Sequence, residues 1–206
     1  MTSESADGAR SRILGRIREA LADRSVVEHP GELVEAAGPP APRRDEDAQD
    51  ERIAMFSARF EATGGEIVRV SGPIEARAWL SGFSGSFETA ATSTAVEPPF
   101  RPELQPAPPE LAEVGVSWAV AGAAQTGSLV LSSREGRRVQ LFPPVHLIWI
   151  EAAAIHATLG EALESLRHDL PAAVGLHTGP SRSADIGGIV VKGVHGPGRV
   201  IAAIVG

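Results

Sequence analysis

Apolar residues along this 206-residue chain change their spacing several times, and each change marks an element. Ile13, Leu14, Ile17 and Leu21 fall on one helical face, with Arg12, Arg16, Arg18 and Glu19 largely off it. Residues 25–47 then hold few periodic apolar positions and carry Gly38-Pro39-Pro40-Ala41-Pro42, the composition of a linker. The pattern divides the chain into a helical arm at 1–24, a linker at 25–47 and a folded domain at 48–206. The arm has an apolar face to cover, on its own body or on another chain.

In the body, Ile53, Phe56 and Phe60 recur at helical spacing and Gly64-Gly65 supplies the stop. Ile67, Val68 and Val70 predict a short buried strand, and Ser71-Gly72-Pro73 opens a helix carrying Ile74, Trp79 and Leu80. Prolines at 98, 99, 102, 106, 108 and 109 predict an irregular surface crossing over residues 97–109. Residues 114–124 and Leu129-Val130-Leu131 predict two strands around a polar corner. Residues 134–138 read as a solvated charged turn. Leu147-Ile148-Trp149-Ile150 predicts a buried strand, and Ile155, Leu159, Leu163 and Leu166 one helical face. Residues 174–178 and 200–205 add strands, the second closing the sheet. Strands alternating with helices predict a layered α/β fold whose mostly parallel sheet is flanked by helices. Such sheets bind ligands beyond the carboxyl ends of their strands.

Composition narrows the function classes. Hydrophobic residues make up 43% and charged residues 22%, ordinary proportions for a globular domain. A net charge of −7 argues against a dedicated nucleic-acid binder, which needs a basic face for phosphates. With no cysteine, the chain can hold neither a disulfide nor a thiolate-ligated iron–sulfur cluster. The polar, acidic start lacks a signal-peptide pattern, and no apolar run is long enough to span a bilayer. The expectation is a cytoplasmic protein bound to no membrane.

Candidate chemistry concentrates near Thr178-Gly179-Pro180-Ser181-Arg182-Ser183-Ala184-Asp185-Ile186 and Gly193-Val194-His195-Gly196-Pro197. Gly179-Pro180 forces a turn, and Ser181 or Ser183 is placed to cap a short helix whose free N–H groups form an anion site. The Arg182 guanidinium suits a carboxylate or phosphate, or equally a surface salt bridge. Asp185 would sit in the first turn of that helix, where a carboxylate is favoured with or without a function. His195 can exchange protons near neutral pH, or hold a turn. Thr126, Gly127 and Ser128 offer hydroxyls and N–H groups at a strand corner, as an anion nest or a tight turn. His146, His156, His168 and His177 show no metal-ligand spacing, so no metal site is expected.

Three segments resemble the lactate utilization protein C family, the LUD domain. They are Gly122-Ala123-Ala124-Gln125-Thr126-Gly127-Ser128 with the run to Ser133, Leu141-Phe142-Pro143-Pro144-Val145-His146, and the two stretches just described. Arg12-Ile13-Leu14-Gly15-Arg16-Ile17 also looks like that family's opening helix, and residues 82–110 resemble it least. The resemblance implies a LUD-type α/β domain at 48–206, similar in fold to the sugar-phosphate isomerase and CoA-transferase superfamily. It implies a part in oxidising L-lactate to pyruvate beside two iron–sulfur partner proteins. Two carboxylates usual in the family are replaced here, by Gln125 and Gly187, and neither replacement can shuttle a proton.

The expectation is therefore a non-redox accessory subunit that binds a small anionic ligand. Gln125, Thr126, Gly127, Ser128, Gly179, Pro180, Ser181, Arg182 and Gly196 would line the site. Asp185 and His195 would be its proton carriers, and no particular cofactor is implied. The alternative is a free-standing isomerase- or acyl/CoA-transferase-like enzyme acting on a phosphorylated or CoA-linked substrate.

Overall fold

Helices α1 (Ala6–Ala22) and α2 (Glu46–Ala62) precede the first strand. The structure, a computed structural model, describes residues 6–22, 46–184 and 190–206. It falls into two units, Met1–Pro40 and Ala41–Gly206. In the first, α1 follows the spacing of the apolar residues, and Ile13, Leu14 and Ile17 are exposed.

In the second unit, α2 ends where the glycine pair predicts. The Phe60 carbonyl accepts the N–H groups of Thr63 at 3.2 Å and Gly65 at 3.1 Å. Gly64 has φ +89°, the left-handed conformation that terminates helices, and Gly65 lies so close to the Phe60 ring that no side chain fits between them. The elements that follow are β1 (Glu66–Val70), α3 (Pro73–Ser84), β2 (Thr89–Thr92), β3 (Gln105–Pro106) and β4 (Val114–Trp118). Then come β5 (Ala121–Ala123), β6 (Ser128–Ser132), α4 (Arg137–Leu141), β7 (Val145–Glu151), β8 (Ile155–His156) and α5 (Leu159–Glu164). Last are β9 (Val174–His177), β10 (Arg182–Ala184), β11 (Val190–Lys192) and β12 (Arg199–Val205).

Six strands pair in the order β1-β12-β7-β4-β2-β3, every pairing parallel. A second sheet runs β8-β5-β6-β9, with β6 antiparallel to both neighbours and β8 parallel to β5. Strands β10 and β11 form a separate antiparallel pair.

Several expectations change. The strand at 199–205 does not close an edge; it lies between β1 and β7. Arg182, Ser183 and Ala184 form a strand, so neither Ser181 nor Ser183 caps a helix there. Cross-strand pairing to residues 190–192 outweighs the local capping signal. Residues 133–135 form a 3-10 turn leading to α4, and Glu135 is buried rather than solvated. The proline-rich crossing holds a 3-10 turn at Pro98–Phe100 that buries Phe100, and the edge strand β3.

Alternate residues of β7 and β12 serve two cores. Ile148, Ile150, Val200, Ala202 and Ile204 pack with Ile53, Phe56 and Phe60 of α2 and Leu129 and Leu131 of β6. Leu147, Trp149, Ile201 and Ala203 pack on the other face with Ala76 and Leu80 of α3. Each such buried aliphatic or aromatic side chain contributes about 1.5–3 kcal/mol. Trp149 also donates its Nε1–H to the Phe100 carbonyl at 2.9 Å, tying the proline-rich crossing to the sheet.

Ser117 and His146 interrupt the inner face. His146 is fully buried, with Nε2 3.0 Å from Ser117 Oγ and its ring edge-on to His177 at 5.5 Å between centroids. Burial, reinforced by the neighbouring His177, holds His146 well below the usual imidazole range. Burial pushes His177 down to about 4. The unfolded chain therefore binds protons first as pH drops, so both groups destabilise the fold in acid. Their contribution is complete above the ordinary value of 6.5 and is lost as pH falls toward about 4.

Two outcomes are expected. Between about pH 7 and pH 5 the melting temperature falls, and His177→Phe makes that fall shallower in a thermal melt series. Trp149→Phe retains most of the apolar area but leaves the Phe100 carbonyl unpartnered. It should cost about 1–3 kcal/mol in urea unfolding.

Candidate functional site

The three segments singled out in the sequence meet in space. The β5–β6 corner turns at Gly127, with φ +63°, against the end of α2. A Cβ on Gly127 would lie 2.6 Å from the Phe60 nitrogen and 2.8 Å from the Arg59 carbonyl carbon, so only glycine permits this approach. Ser128 Oγ lies 2.8 Å from Thr126 Oγ1 and 3.1 Å from Thr178 Oγ1, a row of three linked hydroxyls. Thr63 Oγ1 reaches the Phe60 carbonyl at 2.6 Å and also the Thr178 carbonyl. Residues 178–182 bridge to the last segment. The Ser181 N–H donates to the Pro197 carbonyl at 2.8 Å, and the Gly193 N–H to the Ser181 carbonyl at 3.0 Å. A Cβ on Gly196 would stand 3.3 Å from that of Ser181.

Within this cluster, Arg182 donates through Nη2 to the Thr63 carbonyl, just beyond the carbonyl end of α2 where a cation is favoured. The residue as a whole is exposed. Pro180 is buried, Gly179 packs on Thr63, and Gln125 is half-buried with its N–H donating to the Ala157 carbonyl at 3.0 Å. His195 is exposed and has no hydrogen-bond or ion-pair partner among the described residues. Asp185 and Gly187 lie outside the described residues. The cluster gathers at the amino ends of the parallel strands, because Gly64-Gly65 leads into β1 and residues 193–198 lead into β12. The Gly198 N–H, donating to the Pro144 carbonyl at 3.0 Å, sets it beside the start of β7 as well.

The opposite, carboxyl ends of the strands hold two features the sequence did not disclose. One is a cleft of about 690 Å³ where β4, β7 and β12 end, lined by Trp118, Glu151 and Val205 with Gln49, Glu97 and Phe100. The other is Glu135, whose Oε2 accepts Ser93 Oγ–H at 2.8 Å and the Trp118 N–H at 3.0 Å. Burial raises its carboxyl above the usual range, against those two hydrogen bonds, which lower it. Its one sequence signal was position, directly after a buried strand, and the neighbouring arginines made the segment read as solvated. Among the described residues no three or more His, Cys, Asp or Glu are grouped to hold a metal ion. No described helix is long and apolar enough to cross a membrane.

Residues 110–205 match the family model described as the LUD domain. Lactate utilization protein C of Anoxybacillus flavithermus is 33% identical over 91 residues, 43% of this chain and 41% of that protein. Lactate utilization protein C of Bacillus subtilis is 33% identical over 96 residues, 43% and 40% of the two chains. The uncharacterized protein YkgG of Escherichia coli is 33% identical over 104 residues, 47% and 45% of the two. The matched part thus spans less than half the length of these curated relatives. In fold, the chain is similar to the crystal structure of a DUF162 family protein from Deinococcus radiodurans. The TM-score is 0.59 at 18% identity, over 77% of this chain and 98% of that one. The matched residues carry β4 through β12 and all of the loop cluster except Thr63. Residues 110–205, just under half of the chain, are thus similar to the LUD domain family.

Proposed function

We propose that this chain serves lactate utilization as a non-redox accessory subunit, in the cytoplasm, beside two iron–sulfur proteins. The observation that carries the reading is the meeting of the family-like motifs. Residues as far apart as Thr126 and Pro197 are joined through Ser128, Thr178 and Ser181 into one cluster at the surface. Relatives named for lactate utilization match 43% of the chain. A chain without cysteine leaves thiolate-bound electron carriers to its partners. Arg182, anchored at one nitrogen, would offer its remaining N–H groups to a small carboxylate. Asp185 and His195 are its candidate proton carriers.

The second reading is a free-standing enzyme similar to the isomerase and CoA-transferase superfamily, acting on a phosphorylated or CoA-linked substrate. Gln125 and Gly187 remove the carboxylates such chemistry would use, but Glu135 supplies another. It is buried, held at the strand ends, and has a raised pKa, the condition of a general acid.

Affinity purification from source cells grown on lactate should recover two iron–sulfur proteins in fixed proportion; recovery of the chain alone overturns the subunit reading. Arg182→Ala should weaken L-lactate or pyruvate binding about tenfold in calorimetry, the worth of a charge-assisted hydrogen bond. Unchanged affinity removes Arg182 from the site. Glu135→Gln should alter stability by about 1 kcal/mol or less. Glu135→Ala, by contrast, leaves Ser93 and the Trp118 N–H unpartnered and costs about 2–4 kcal/mol in urea unfolding. Turnover of a sugar phosphate or acyl-CoA that Glu135→Gln abolishes would establish the enzyme; no turnover by the unmodified chain discards it.

A further inference from the structure

The cleft at the carboxyl ends of β4, β7 and β12 shares none of its lining with the loop cluster at their amino ends, and its chemistry is opposite in sign. At about 690 Å³ it has the size of a small-molecule site. It also lies where open parallel sheets bind their ligands. Among the described residues, two carboxylates, Glu97 and Glu151, line it, and no lysine, arginine or histidine does. Each stands immediately before a 3-10 turn, yet neither side chain caps that turn. Neither forms a hydrogen bond or ion pair among the described residues. Two like charges therefore face one space with no counter-charge among its described lining residues, which repels an anion and favours a cation.

The rest of the wall is apolar and aromatic. Phe100 meets Trp118 edge-on, with ring centroids 4.9 Å apart, and both rest on the buried Trp149. Trp118 is half-buried, so part of its surface remains available to a ligand. An indole face is the best side-chain partner for a cation. The wall is also held in place. Glu135 joins Ser93, beyond β2, to the Trp118 N–H at the end of β4. Gln49 donates to the Ala152 carbonyl and accepts from Arg52, which is not itself among the described lining residues.

We propose that this cleft binds a small organic cation, a protonated amine on an apolar or aromatic frame. Its ammonium faces Glu97 and Glu151, and its frame packs on Phe100 and Trp118. The proposal does not rest on the lactate reading, since Thr126, Ser128 and Arg182 line none of the cleft.

The test uses the full chain and three probes of nearly one shape: phenethylamine, neutral 2-phenylethanol and anionic 3-phenylpropanoate. Binding is followed by tryptophan fluorescence and calorimetry. Phenethylamine should saturate and bind about fivefold to tenfold tighter than the alcohol, an advantage that shrinks as salt is raised, and the acid should bind weakest. The double variant Glu97→Gln, Glu151→Gln should bring the amine down to the affinity of the alcohol. Both side chains are exposed, so the variant keeps its fold, and an unchanged melting temperature verifies that. Failure of phenethylamine to saturate, equal binding of all three probes, or an amine affinity that survives the double substitution each overturns the proposal.

Discussion

An all-parallel sheet has two faces to keep from water, and the central strands β7 and β12 carry apolar residues on both. That requirement organises everything around them. One face takes α3 and the aromatic group built on Trp149. The other is too large for α2 alone, and the four-stranded sheet covers the remainder through Leu129 and Leu131. Helix α5 in turn covers the outer side of that small sheet, where Ala121, Ala123 and Val130 meet Ala162. The β5–β6 corner is therefore delivered to the end of α2 by packing, and glycine at 127 is what lets the two backbones close.

The same layering separates two chemistries. Hydroxyls and a guanidinium collect at the amino ends of the strands, among loops held by backbone hydrogen bonds. Carboxylates and indole rings collect at the carboxyl ends, around a cleft. Among the buried polar groups between them are the Ser117–His146 pair, with His177 beside it, and the Glu135 carboxyl with Ser93. Burial moves His146 and Glu135 in opposite senses on the pH scale, but toward the same end, the uncharged form.

Much of this was legible in the chain because it is local. The stop of α2 at Gly64-Gly65, the buried strand through Trp149 and the β5–β6 turn each follow from a few adjacent residues. What escaped depends on distant partners. Nothing in the period of residues 121–132 tells whether their strands join the main sheet or a second one. The polar run at 181–184 carries a helix-capping signal that pairing with residues 190–192 overrides. Glu135 looks solvated among its arginines until Ser93 and Trp118, 42 and 17 positions away, close on it. The cleft could not be read at all, since Gln49, Glu97, Trp118 and Glu151 come from four separate stretches. The loop motifs were recognisable as family features, and their packing together follows from the fold.

The interior place of β12 also has a bearing on the order in which the molecule assembles. Among the described residues strand β1 has a single neighbour, β12: Glu66 stands opposite Ile201, with Arg199 gripping the Glu66 carboxylate through two hydrogen bonds of 2.7 Å. The early strand thus has no place in the sheet until a segment far along the chain has inserted between it and β7. Loop closure over that separation must come before the contacts that reward it, so assembly cannot proceed strand by strand from the amino-terminal side. Until then the inner edge of β1 and the flank of β7 are bare, each able to pair with the wrong strand or with another molecule, and the insertion of β12 covers both in one step.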